Sequence, residues 1–160
     1  MTYIGAFAVV LAVLFAWRTY CTFLSTELSD VRAFLHALIS YRDKMKCYLE
    51  TPSAWARGYE DERLSRLGFL ERLREGGDIS EAYRLASEES CLPSSVDEVL
   101  CDCFSHLGEG YLESELEAIG VAISRLSDEE KRISSDISRR GRVAGALLGA
   151  CAVGVVILVI

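Results

Sequence analysis

Cys101, Cys103 and His106 form a C-x-C-x-x-H string, where ligating side chains crowd closest together in this chain. A structural zinc ion needs a tetrahedral set of thiolates and imidazoles. On a helix, residues two apart point about 200° away from each other, so the two thiolates cannot share that set without unwinding. No paired Cys-x-x-Cys spacing accompanies them, and the expected role is that of small apolar fillers in a core helix. Of the remaining cysteines, Cys21 and Cys151 lie in or beside the apolar ends, and Cys47 and Cys91 are isolated. That usage fits a reducing compartment.

Other chemistry is sparse. There is no Gly-x-x-x-x-Gly-Lys loop and no nucleophile motif, and the two histidines, His36 and His106, are far apart in sequence. His36 follows the first helix's apolar stripe by one position, which makes it a flank residue rather than a general base. No catalytic residue, cofactor, metal or small-molecule substrate is therefore expected, and the chain reads as a non-enzyme. Glu109, Glu113, Glu115 and Glu117 are dense enough to form an acidic helix face. Such a face is usually just solvated, and its functional alternative is contact with a basic partner, for which Glu109, Glu113 and Glu117 are the candidates. With 17 basic against 24 acidic side chains, a net charge of −7, nucleic acid is not an expected partner.

The elements that would position these residues are unevenly charged. Every Lys, Arg, Asp and Glu falls between Arg18 and Arg142, so residues 1–17 and 143–160 carry none. An 18-residue helix from Val143 to Ile160 would reach about 27 Å, close to the thickness of a hydrocarbon core. The first run is shorter, but Tyr20, Cys21, Phe23 and Leu24 extend it, Arg18 can snorkel, and Tyr3, Trp17 and Tyr20 suit an interfacial belt. No basic residue precedes this run and no small-x-small site closes it, so an anchor is expected rather than a cleaved signal. Arg18, Arg139, Arg140 and Arg142 flank the middle of the chain, which places that domain in the cytoplasm and both termini on the far face. The expected organisation is a membrane helix over 1–24, a cytoplasmic helical bundle over 25–138 and a second membrane helix, with its basic flank, over 139–160.

Between the ends the pattern is helical throughout. Leu24, Leu28, Val31, Leu35, Leu38, Arg42, Met45 and Leu49 recur at steps of three and four, so one long helix continues from the first span. It should stop near Glu50, where Thr51 can cap and Pro52 can take the first position of the next helix. Leu64, Leu67, Leu70 and Leu73 mark a second helical stretch ending at Gly76 and Gly77. Asp78 with Glu81 opens a short helix, and Ser94 with Asp97, or Ser95 with Glu98, opens another. The clearest seam runs Leu112, Leu116, Ile119, Ile123, Leu126, Glu130, Ile133 and Ile137. Burial inside an antiparallel all-α bundle is its expected fate. The polar stretch 127–131 marks either a turn or an exposed helix side. Ala8, Ala12 and Ala16, and likewise Gly141, Gly145 and Gly149, recur every four residues and form ridges along which membrane helices can pack.

These features together resemble the stage III sporulation protein AB family of endospore-forming bacteria. The likeness rests on the leading span and long helix, the Thr51-Pro52 break, the Leu107-Gly108 pair before the last amphipathic helix, and the terminal span. Where relatives commonly carry Asp and then Gln after that glycine, this chain has Tyr111 and Glu115. The resemblance implies a domain like that of type II secretion F proteins, the inner-membrane platform on which a secretion ATPase acts. It further implies a place in the channel complex between mother cell and forespore, on the mother-cell side, with a cognate ATPase and other channel subunits as partners. The reading from another class is a tail-anchored coiled-coil tether working through the 112–137 seam.

Overall fold

A computed structural model describes the backbone of residues 2–107 and 111–159 and the side chains of residues 11, 14–107, 111–139, 141 and 143. Helix α1 runs from Thr2 to Tyr48 and stops where Leu49 takes φ 53°, in the left-handed region. That backbone costs a leucine about 1 kcal/mol relative to glycine. Thr51 then accepts a hydrogen bond from the Ala54 N–H at 3.4 Å, and Pro52 opens α2 (Pro52–Gly58) as expected. At its far end Arg74 donates to the carbonyls of Ala56 and Tyr59 at 2.9 and 2.7 Å, pairing groups that a helix terminus otherwise leaves bare.

The leucine-marked stretch that follows is two helices, α3 (Glu62–Arg66) and α4 (Phe69–Arg74), rather than one. Gly68, at φ 69°, makes the break, and Asp61 caps α3 by accepting from Arg63 and Leu64, both at 2.9 Å. The turn re-aims the chain so that Leu64, Leu67, Leu70 and Leu73 all stay buried. Helix α4 ends at Gly76, φ 87°, with Gly76 N–H to Leu73 O and Gly77 N–H to Arg72 O both at 3.0 Å. This pair of bonds closes a helix through a left-handed residue, the position glycine tolerates best. Asp78 caps α5 (Ile79–Ser87) by accepting from Ser80 and Glu81, as its spacing predicts.

Helix α6 (Ser94–Ser105) departs from expectation at its start. Pro93 occupies the capping position and neither serine caps by a side-chain bond. Asp97, the expected partner, instead accepts from the Tyr83 hydroxyl at 2.6 Å. Helix α7 (Leu112–Val159) passes through the polar stretch 127–131 without a turn.

Helices α1 and α7 make the most extensive contact of the fold and lie antiparallel, with Arg32 Nε 2.7 Å from Glu130 Oε1 fixing their register. The seam is used inside the bundle: Ile119, Leu126 and Ile133 are buried, and Glu130, its one polar member, is the residue paired with Arg32. The short helices close the other side, α3 resting on α1, α6 on α7, and α4 and α5 between them. At the centre Phe34, Phe69, Phe104 and Tyr83 form a closed circuit of ring contacts 4.9–5.8 Å apart, one ring from each of α1, α4, α6 and α5. Edge-on and tilted aromatic contacts of this kind add about 0.5–1.5 kcal/mol each beyond burial.

Seven helices and no strand among the described residues bear out the all-α class. The terminal spans expected at 1–24 and 139–160 are not established by the fold. Among the described residues, no helix is long and apolar enough to cross a membrane. Most of both apolar runs lies outside the residues whose side chains are described.

Candidate functional site

The end of the bundle where α1 turns into α2 and α7 begins is the place where surface features converge. The left-handed turn at Leu49 and the glycine turn at Gly77 leave a groove of about 480 Å³, floored by Tyr41, Met45, Ile79 and Leu107. Tyr41 is buried against Trp55, ring centroids 5.4 Å apart, and Trp55 donates from Nε1 to Ser40 Oγ at 3.1 Å. Burial above all, and then the carboxylate of Glu115, push the Tyr41 phenol well above its ordinary range, so it stays protonated. Leu49 of the lining is 68% exposed, and Tyr48 and Tyr111, each next in sequence to a lining residue, are 70% and 89% exposed, unusual values for large side chains with so much apolar surface.

Of the acidic candidates, Glu113 and Glu117 lie four residues apart on α7 and are exposed, so they share one face. Glu115 turns away from them to line the groove, and Glu109 lies outside the described residues. Thr51, Pro52 and Leu107 all line the groove, while Gly108 is outside the described residues. Among the ridge candidates Ala16 and Gly141 are exposed; Ala8, Ala12, Gly145 and Gly149 lie outside the residues described in side-chain detail.

The C-x-C-x-x-H string is split as helix geometry requires. Cys103 is buried in the core while Cys101 is exposed on the opposite side of α6, so the core-filler reading holds for one of them and is corrected for the other. Burial pushes the Cys103 thiol up to about 12, far from a reactive thiolate. His106 is exposed and its ring Nδ1 lies 2.8 Å from the Asp102 carbonyl oxygen, and His36 is exposed on the flank expected of it. Among the described residues no group of His, Cys, Asp and Glu is arranged to hold a metal ion.

The family model of stage III sporulation protein AB matches residues 2–160. The chain belongs to the stage III sporulation protein AB family. No curated protein and no solved structure matches it. A role in sporulation follows from membership of the stage III sporulation protein AB family, and the groove and the acidic face both fall inside the matched range.

One buried polar centre in this member of the stage III sporulation protein AB family is not apparent from its sequence. Asp30 has no exposure, yet it is bound on three sides: Arg63 donates from Nε to Oδ1 and from Nη2 to Oδ2 at 3.0 Å, and the Cys91 N–H donates to Oδ2 at 2.8 Å. The bond to Asp30 raises the Arg63 guanidinium further above its ordinary value. This carboxylate ties α1 to α3 and to the loop before α6. The available signal was that Asp30 precedes Phe34 by four on a helix, which places it on an inward face.

Proposed function

We propose that this protein is a non-enzymatic membrane platform of a sporulation channel complex, whose helical body sits on the cytoplasmic, mother-cell side and docks a cognate secretion ATPase. The observation that supports the reading is the antiparallel pairing of α1 and α7, whose outer ends, without a charge over residues 1–17 and 143–160, leave the same end of the bundle. On the α1 side of that end Leu11, Phe15 and Phe23 are exposed by 50%, 74% and 53%, and Val143 of α7 by 55%, apolar surface suited to lipid rather than water. Arg18, Arg139, Arg140 and Arg142 border the body and favour its cytoplasmic placement.

The Arg32–Glu130 register also bears on the ridges. Carried up both helices at equal rise, it brings Ala16 about level with Gly145 and Ala12 about level with Gly149. Lines of small residues permit close backbone approach in lipid, and with Ala16 and Gly141 both exposed on this chain the ridges are proposed to pack against a neighbouring membrane subunit. A rigid hairpin of this kind would carry ATPase rearrangements from the cytoplasmic body into the bilayer, as likeness to type II secretion F proteins implies. The tether reading is disfavoured, because its seam residues Ile119, Leu126 and Ile133 are already buried.

Binding decides the matter. The full chain in lipid nanodiscs should bind the cognate P-loop ATPase, and charge reversal of Glu113 and Glu117 together should weaken that binding about tenfold while added salt weakens it for the wild type. Unchanged affinity in the double variant would remove the acidic face from the proposal. Absence of any binding would remove the platform.

A further inference from the structure

The groove at the closed end combines an apolar floor with a one-sided charge. Its lining includes the carboxylates Glu50, Asp78 and Glu115 and no Lys or Arg. One cation, Lys44, reaches the edge of this lining: its ammonium lies 3.9 Å from Glu50 and 5.2 Å from the centre of the Tyr48 ring. Leu49 stands on the rim in a backbone conformation that glycine would hold without strain, and presents its side chain to solvent. Leucine there serves neither the turn nor the core. A strained residue that the fold does not use is the kind of outlier that marks a contact site.

We infer that this groove receives a short cationic segment of the ATPase, with one apolar side chain of that segment seated over Tyr41 and Met45 and capped by Leu49. The inference rests on the platform reading and adds to it a docking groove distinct from the Glu113 and Glu117 face. Charge selects the occupant: a second copy of this chain would set acid against acid, in a molecule whose net charge is −7. Lipid is excluded by distance, since about 50 Å of continuous helix separates Phe15 from Leu49.

Leu49→Gly is the discriminating variant, because it removes the side chain while relaxing the backbone. With the full chain in nanodiscs and the cognate ATPase as probe, the variant should bind about tenfold more weakly, and its thermal midpoint should equal or exceed that of the wild type. Glu50→Gln should weaken binding less and flatten its salt dependence. Wild-type affinity in Leu49→Gly, or a loss that merely follows a lowered midpoint, would overturn the groove while leaving the platform reading in place. A wild-type chain that fails to bind the ATPase would overturn both. Concentration-dependent self-association abolished by Leu49→Gly would assign the groove to a second copy and overturn the inference.

Discussion

Asp30 shows how much a single side chain can hold in a fold built mostly of leucine. A carboxylate buried with an arginine and a backbone N–H is tolerable only while every partner is present, and removing one member strands the rest. Asp30→Ala should therefore destabilise the body by about 3 kcal/mol in urea unfolding followed by tryptophan fluorescence, moderated because Arg63 retains some access to water. A change below about 1 kcal/mol would show that the centre is incidental. The buried thiol gives a second test. Burial raises the Cys103 pKa from 9.0 to about 12, so the folded state holds that proton more tightly than the unfolded chain does. Its contribution is complete below pH 9 and is lost as pH rises towards 12. Unfolding measured at pH 9 and at pH 11 should show a smaller loss for Cys103→Ala than for the wild type, and an equal loss would contradict the assignment. Only part of this was legible in the sequence. That Cys101 and Cys103 diverge follows from helical geometry alone, whereas the partner of Asp30 lies 33 residues away and leaves no local trace.

At the scale of elements, local rules succeeded wherever the chemistry was local. Thr51-Pro52, Asp78 with Glu81, and Gly76-Gly77 each act within a few residues, and each does what its spacing predicts. Two elements depart from their local pattern for tertiary reasons. The leucine repeat from Leu64 to Leu73 is compatible with one helix, but packing both halves requires the turn at Gly68. Asp97 is drawn away from the α6 terminus by Tyr83, whose phenol is raised by burial first and by that bond second. The 112–137 seam was open to either an internal or an external partner in the sequence, and α1 supplies the internal one. Leu126→Ala should accordingly cost about 2–5 kcal/mol of stability and leave the oligomeric state unchanged by analytical ultracentrifugation. Dissociation of an oligomer without loss of stability would instead restore the tether.

For the molecule as a whole, the two long helices join a groove-bearing tip to two uncharged apolar runs at the opposite end. The all-helical class and the family could be read from the sequence because periodicity and composition are properties of long stretches. The groove could not, since its lining is gathered from α1, the α1–α2 link, the Gly77-Asp78 turn, Leu107 and α7. In the proposed arrangement this body lies in the cytoplasm beneath anchors at both ends. Cys47 is exposed near the tip and reports its side directly. A membrane-impermeant maleimide should leave the Cys47 peptide unmodified in intact protoplasts expressing the full chain and modify it once the membrane is broken. Modification of Cys47 in intact protoplasts would place the body outside and contradict the account.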